Sequence, residues 1–127
     1  VGTSLISLRT DNAGSGVLRL RRTDAVAVSA DLDGTLGIGI DRWYRAGVFF
    51  SNTAGGGAAQ IYLDRSLYAS GSVDVGAITP DTFKIGTGPG IDSFTGEIQE
   101  VVPIGRRCSA AEYLAYYDWS VRQYGYT

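Results

Sequence analysis

Short runs of alternating apolar and polar residues fill most of the chain before residue 105. The clearest run is Val17 to Arg21, in which Leu18 and Leu20 share one face and Arg19 and Arg21 share the other. Alternation with a period of two residues is typical of half-buried β-strands. The same pattern, bounded by turn-forming residues, predicts further strands at 3–8, 25–30, 36–40, 43–50, 60–63, 66–68, 82–85 and 96–104.

Turn chemistry indicates two of the connections between these strands. Asp31 to Gly34 ends in an Asp-Gly pair, which tolerates positive φ and predicts a turn. Asp64 and Arg65 separate two short strand-like runs and predict a two-residue hairpin loop. About nine short strands at close spacing favour an antiparallel sandwich or barrel over a parallel sheet.

The period changes to 3.6 residues near the C-terminus. Ser109 and Glu112 have the spacing of a capping box, in which each side chain accepts a hydrogen bond from the other residue's backbone N–H. Gly125 suits the position after the last turn. The pattern predicts one amphipathic helix over about 109–124, docked on the sheet through Ala110, Leu114, Tyr117 and Val121.

The composition excludes several kinds of catalytic and metal-binding chemistry, and it says less about the fold. The 127 residues, 1–127, make one domain, and a net charge of −2 offers no basic excess for nucleic acid. The chain has no histidine, which excludes Ser-His-Asp and Cys-His catalysis and most zinc sites. Its single cysteine, Cys108, cannot form an internal disulfide and has no histidine to activate it as a nucleophile. No apolar run reaches the ~18 residues that a membrane span needs.

Acidic and amide residues in the loops are the best candidates for a binding site. If the strands run alternately up and down, the loops 11–16, 31–34, 51–58 and 70–80 fall on one rim of the sandwich. Oxygen-rich side chains on one rim suit calcium or the hydroxyls of a sugar. The same residues also suit ordinary turns, in which Asp and Asn are favoured locally. The candidates are Asp11, Asn12, Asp31, Asp33, Asn52 and Asp74.

Two further groups allow both a structural and a binding interpretation. Arg19, Arg21 and Arg22 form a basic cluster, which fits a solvated sheet face better than a contact with anionic glycans or phosphate. Trp43 and Trp119 can stack on sugar rings, but packing in the core or at an interface is the more common role of tryptophan. Both groups are therefore interpreted as structural.

Glu97 and Glu100 are the only close pair of glutamates. In a regular strand a spacing of three residues places them on opposite faces, whereas two catalytic carboxylates must face one cleft. Glu100 has the parity of Ile98, Val102 and Ile104, which favours an inward position where it needs a hydrogen-bonding partner. A structural acid is therefore favoured over a catalytic pair.

Five stretches of the chain occur in a recognisable order: Arg42–Tyr44, Ile61–Asp64, Phe83–Gly86, Phe94–Val101 and Arg106–Tyr116. In that order and spacing, from about Leu5 to Gly125, they resemble the laminin-G-like and concanavalin A-like jelly-roll domains. Arg65 departs from the family pattern, which usually has glycine in the hairpin loop.

The resemblance implies an all-β fold, an antiparallel β-sandwich of the concanavalin A-like jelly-roll type with one C-terminal α-helix. It also implies a non-catalytic binding or assembly module on an extracellular or virion surface, such as a phage structural or attachment protein. Protein partners or surface glycans would be its ligands. Two alternatives stay open, a calcium-assisted lectin-like carbohydrate-binding domain and a glycoside hydrolase of jelly-roll fold. In the binding interpretations the protein has no catalytic residues, and calcium is the cofactor to consider.

Family members begin with further strands that have no counterpart before Leu5. The chain starts at Val1 and contains no methionine, so it is expected to be part of a longer polypeptide. A sandwich without those edge strands exposes backbone hydrogen-bonding groups and part of its apolar inner face. We therefore expect the open sheet positions to be filled by another part of the polypeptide or by copies in a homo-oligomer.

Overall fold

A computed structural model of the protein describes residues 5–10, 16–24, 26, 29–39, 42–51, 58–75, 85 and 95–125. The described residues form six strands and one helix. In chain order these are β1 (Leu5–Thr10), β2 (Leu18–Thr23), β3 (Ser29–Asp33), β4 (Ala46–Phe50), β5 (Ala58–Leu63), β6 (Ser66–Ser72) and α1 (Ala110–Tyr124). The strands pair antiparallel in the order β1-β2-β3, termed sheet A, and β4-β5-β6, termed sheet B.

Sheet A and sheet B enclose the hydrophobic core as two layers. Both sheets contribute to the buried cluster of Leu20, Leu32, Ala59, Ile61, Ala69 and Val73. In β2 the predicted alternation is confirmed, because residues 18, 20 and 22 are buried and residues 19, 21 and 23 are not. The architecture is therefore a mostly-β, two-sheet antiparallel sandwich with one C-terminal helix.

Asp31 and Asp33 lie within β3 rather than in a turn. The register pairs Arg21 with Asp31 and Arg19 with Asp33, so the ladder with β2 continues to the end of β3. The turn predicted at 31–34 is therefore wrong. Opposite charges directly across two strands stabilise extended backbone, and here that effect outweighs the turn preference of the Asp-Gly pair.

Two predicted strands are not found among the described residues. Residues 36–39, the described part of the first predicted strand, and residues 96–104 belong to neither sheet. The first stretch is held as a loop, because the Ile38 N–H donates to the Gly16 carbonyl at 2.8 Å and the Gly39 N–H donates to the Tyr44 hydroxyl at 2.7 Å. The strand predicted at 82–85 falls almost entirely outside the described residues.

Helix α1 begins and ends where the sequence predicts. The Ser109 side chain accepts from the Glu112 N–H at 3.2 Å, and the Glu112 carboxylate accepts from the Ser109 N–H at 2.8 Å. Gly125 has a φ of 72° and donates its N–H to the Val121 carbonyl. The buried face of the helix differs from the predicted stripe and consists of Tyr113, Tyr117 and Ser120.

Replacing Ser109 with alanine is expected to lower the free energy of unfolding by about 1 kcal/mol, because the Glu112 N–H loses its acceptor. Chemical denaturation of S109A beside S109D, in which aspartate preserves the cap, measures this effect at neutral pH. Equal losses in the two variants would contradict it.

Hydrogen bonds from Arg106 and from the cap lower the pKa of Glu112 to about 2. The contribution of the Glu112 carboxylate to the stability of the fold is therefore complete above its ordinary pKa of 4.5, and it is lost as the pH falls through about 2.

Candidate functional site

The predicted loop residues do not gather at one place among the described residues. Asp31 and Asp33 lie on the outer face of sheet A, and Asp74 follows β6. The other predicted candidates lie outside the described residues: Asp11, Asn12 and Asn52.

Asp31 and Asp33 each bind one arginine through two hydrogen bonds. Arg21 donates from Nε and Nη2 to the two oxygens of Asp31 at 2.6 and 2.5 Å. Arg19 donates in the same way to Asp33 at 2.5 and 2.8 Å. The hydrogen bond from Arg21 lowers the pKa of Asp31. Both carboxylates are therefore engaged by guanidinium groups in a structural ladder, which agrees with the interpretation of Arg19 and Arg21 as a sheet face. That interpretation is wrong for Arg22, which is buried.

Asp74 lies at the opposite end of sheet A from Asp33. At the far end of β2, Arg22 donates from Nη1 to the carbonyls of Ser51 and Val73 at 3.2 and 3.0 Å. The residues that follow β4 and β6 therefore approach this end of sheet A. Asp33 lies beside the start of β2 instead.

The single rim predicted from the sequence is therefore wrong. The prediction counted 36–40 as a strand, but its described residues, 36–39, form a loop. The predicted order therefore contains one strand, and one reversal of chain direction, more than the structure has between β3 and β4. Ser51 and Val73, which follow β4 and β6, lie at the opposite end of the sandwich from Thr10 and Leu18, where β1 ends and β2 begins.

Glu97 and Glu100 lie in an exposed segment outside both sheets. Glu100 accepts a hydrogen bond from the Tyr116 hydroxyl of α1 and does not point into the core as the sequence favoured. Burial, followed by this hydrogen bond, raises the pKa of Tyr116 to about 12. Within the part of the chain that the structure describes, no group of three acidic or cysteine residues is placed to hold a metal ion.

A cleft of about 340 Å³ lies beside the hairpin that joins β5 and β6. It combines charged, aromatic and aliphatic side chains, a mixture that is typical of ligand sites. This hairpin cleft is lined by residues 35–38, Arg42, Tyr44, residues 63–64 and residues 66–68.

Arg42 is the accessible cation of the hairpin cleft, and two neighbours orient it. Its Nη2 donates to Oδ2 of Asp64 at 2.7 Å, and its guanidinium carbon lies 4.3 Å from the centroid of the Tyr44 ring. The Tyr44 hydroxyl accepts from the Gly39 N–H, which fixes the ring. The Arg42 side chain is nevertheless 52% exposed, so it is both held in place and open to a ligand.

Asp64 connects the hairpin cleft to the rest of the fold. It adopts a φ of 52°, a left-handed conformation that aspartate tolerates better than most residues. Its Oδ1 accepts from the Arg45 N–H at 3.1 Å, and its own N–H donates to the Arg45 carbonyl at 2.7 Å. Its carbonyl accepts from the Tyr113 hydroxyl of α1 at 2.6 Å. These contacts fix the hairpin loop and hold the Asp64 carboxylate beside Arg42.

Tyr68 also lines the hairpin cleft, and it joins the two sheets. Its hydroxyl accepts from the Leu18 N–H at 3.1 Å and donates to the Leu36 carbonyl. Gly34 packs against the ring so closely that an added Cβ would lie 1.8 Å from it. Leu36 and Leu67, which are 71% and 50% exposed, add apolar surface to the cleft.

The hairpin cleft can therefore recognise a ligand by hydrogen bonds and apolar contact together. Arg42 and Asp64 neutralise each other, so this pair offers directed polar groups without net charge. In the sequence both residues indicate only a fold, as parts of the stretches that resemble jelly-roll domains. No local pattern reveals the site, because Arg42 and Asp64 are 22 positions apart in the chain.

Comparisons with protein-family models, curated proteins and solved structures give no match for this chain. In the described ranges, no helix combines the length and the apolar character that crossing a membrane requires. The sandwich and the hairpin cleft are therefore the basis for a functional assignment.

Proposed function

We propose that the protein is a non-catalytic binding or assembly module on an extracellular or virion surface, built as a jelly-roll-like sandwich. It contacts a partner protein or a surface glycan through the hairpin cleft. The observation that carries this proposal is the exposed Arg42 guanidinium, which Tyr44 and Asp64 orient inside a cleft with two exposed leucines. The lack of histidine in the chain also favours binding over acid–base catalysis.

The chemistry of the cleft explains how such binding would gain affinity. An arginine has five N–H donors, and the contact with Asp64 uses one of them. Because Arg42 is already oriented, a ligand that bonds to it immobilises less side-chain freedom on binding. Exposed Leu36 and Leu67 supply apolar contact beside those donors. A carbonyl-rich or hydroxyl-rich ligand with an adjacent apolar face fits this combination.

Replacing Arg42 with alanine is expected to weaken binding by about tenfold or more, since an oriented arginine in a cleft has the character of a binding hot spot. The labelled protein is applied to a glycan array and to a displayed random-peptide library. The matched control is R122A, which removes an exposed arginine from the last turn of α1, away from the hairpin cleft. Wild type and R122A should bind the same probes, and R42A should lose them.

The same measurement separates the alternatives. Glycan binding that disappears when calcium is chelated would favour a lectin-like domain, and cleavage of bound glycans that E100Q abolishes would favour a hydrolase. Binding that R42A and R122A weaken equally would contradict the role of the hairpin cleft. A protein that binds neither glycans nor peptides at micromolar concentration would contradict the proposal as a whole.

A further inference from the structure

The two aromatic rings of the hairpin cleft are engaged by contacts within the fold. The Arg42 guanidinium covers one face of the Tyr44 ring, with its carbon 4.3 Å from the ring centroid. The Tyr68 ring packs against Gly34 and the core, and its hydroxyl donates to the Leu36 carbonyl. Sugar rings are bound largely by stacking on aromatic faces that are free to receive them. The hairpin cleft is therefore poorly suited to a glycan.

The exposed apolar surface of the hairpin cleft is aliphatic instead. Leu36 and Leu67 both line the cleft, and they are 71% and 50% exposed. The backbone at Leu36 is held in place, because its carbonyl accepts from Tyr68 and the nearby Ile38 N–H donates to the Gly16 carbonyl. A ligand that covers these leucines therefore has little backbone to order on binding. Exposed aliphatic surface gains free energy from contact with an apolar side chain, and sugar hydroxyls do not supply that contact.

A β-bulge in β6 sets the position of Leu67. Ile61 pairs with Ala69 and Tyr62 pairs with Leu67, so Tyr68 is an extra residue between two consecutive pairs. A bulge changes the face to which the following side chains point, which explains why Leu67 is exposed although Ala69, two residues further on, is buried. Bulges are over-represented at sheet edges and next to active sites, where they redirect a side chain. The exposure of Leu67 therefore follows from a specific backbone feature at the cleft.

Arg42 supplies hydrogen-bond donors next to these leucines. Its Nη2 donates to Asp64, and the guanidinium carries further N–H donors for the acceptors of a ligand. The backbone carbonyls of a peptide are acceptors of this kind, and the Ser66 hydroxyl, which also lines the cleft, can accept from a peptide N–H. Because Asp64 balances the charge of Arg42, the cleft does not select a strongly acidic ligand. Its polar and apolar groups together match an uncharged stretch of peptide.

We infer that the hairpin cleft binds a peptide segment of a partner protein, in which a large apolar side chain lies next to backbone carbonyl groups. The apolar side chain packs on Leu36 and Leu67, and the carbonyl groups accept from Arg42. This assignment rests on the binding role proposed above for the hairpin cleft, and it selects a protein rather than a glycan as the ligand.

Two parallel screens decide between the ligand classes. The labelled protein is used to select from a displayed random-peptide library and is applied to a glycan array. We expect the selected peptides to share a leucine, isoleucine, methionine or aromatic residue, and we expect no glycan whose binding R42A abolishes. The affinity for a selected peptide should change by less than about threefold between about 50 and about 300 mM salt, because Asp64 already balances the charge of Arg42.

Substitutions at two exposed aliphatic residues test the apolar contact. Leu67→Ser is expected to raise the dissociation constant of a selected peptide by about five- to tenfold, because an apolar contact is lost. Leu67→Met keeps an apolar side chain and should bind within about twofold of the wild type. The matched control is Val26→Ser, since Val26 is 77% exposed and lies between β2 and β3, at the other end of sheet A from Leu18. Circular dichroism confirms that the variants keep the fold.

The outcomes distinguish this assignment from the proposed function. A glycan that binds the wild type but not R42A, or selected peptides that lack an apolar residue, would overturn the peptide assignment and leave the binding role of the cleft intact. Equal peptide affinities of L67S and V26S would also overturn it. A protein that binds neither peptides nor glycans would contradict the proposed function, and the peptide assignment with it.

Discussion

Replacing Arg22 with alanine is expected to lower the free energy of unfolding by about 3–5 kcal/mol, enough to unfold a domain of marginal stability. Arg22 is 0% exposed, although it lies in a run of alternating arginines on β2. Its removal leaves a cavity between the sheets and deprives two backbone carbonyls of a charged donor.

The contacts of Arg22 explain the expected size of this loss. Its Nη1 donates to the carbonyls of Ser51 and Val73, which close β4 and β6 of the opposite sheet. Its guanidinium carbon lies 5.8 Å from the centroid of the Phe50 ring. Burial lowers the pKa of Arg22, while the charge of Asp74 acts in the opposite direction. Arg22 is thus a cross-link between sheet A and sheet B rather than a surface charge.

The neighbouring Arg21 provides a matched control on the same strand. Its side chain is 29% exposed and pairs with Asp31 on the outer face. R21A should cost less than about 1 kcal/mol, as is usual for an ion pair near the surface. Urea denaturation of R21A and R22A beside the wild type measures both values. Equal losses in the two variants would contradict the assignment of Arg22 as the cross-link.

Arg22 also shows what an alternating pattern predicts about the two faces of a strand and what it leaves open. The pattern in β2 places Leu18 and Leu20 on the core face correctly, and strict alternation puts residue 22 on that face as well. Arginine is a residue type that usually lies on the surface, which favours grouping Arg22 with Arg19 and Arg21. The carbonyls that accommodate Arg22 come from residues 29 and 51 positions further along the chain, and local pattern carries no information about them.

The helix and the site illustrate the two extremes of prediction. Helix α1 was predicted to within one residue, because its capping box is made by side chains three positions apart. The predicted arrangement of the loops is wrong because of one stretch, Leu36 to Gly39. Its alternating aliphatic and glycine residues predict a strand, but long-range hydrogen bonds to Gly16 and Tyr44 hold it as a loop. The predicted rim depended on counting strands as alternately up and down, so this one error misplaced the ends of β4 and β6.

Replacing Tyr113 with alanine is expected to lower the free energy of unfolding by about 3–5 kcal/mol, because a large buried aromatic ring is lost from the contact between α1 and sheet B. The ring is 7% exposed. Its centroid lies 5.8 Å from that of Phe49 and 5.2 Å from that of Tyr62. Gly47 makes room for it, since a Cβ there would lie 2.5 Å from the ring.

Tyr113→Phe separates the packing of this ring from its hydrogen bonds. The Tyr113 hydroxyl lies 2.6 Å from the Asp64 carbonyl and 3.0 Å from the Arg45 carbonyl, and it can donate to one at a time. Loss of the hydroxyl should therefore cost about 1–2 kcal/mol, well below the loss in Y113A. Denaturation of both variants gives the two values. A phenylalanine variant as unstable as Y113A would contradict a dominant role for packing.

The pH dependence of stability provides an independent check on the buried hydroxyl. Burial, and then the Asp64 carboxylate, raise the pKa of Tyr113 above its ordinary value of 10.0. A group with a raised pKa binds its proton more tightly in the folded state, so its contribution is complete below the unfolded pKa and declines as the pH rises above it. Stability should therefore fall as the pH rises above about 10 in the wild type and fall less steeply in Y113F. Tyr116, whose pKa is raised to about 12, contributes to the same decline in both proteins and does not affect the comparison. Identical slopes in the wild type and Y113F would show that the Tyr113 hydroxyl is not buried against Asp64 in solution.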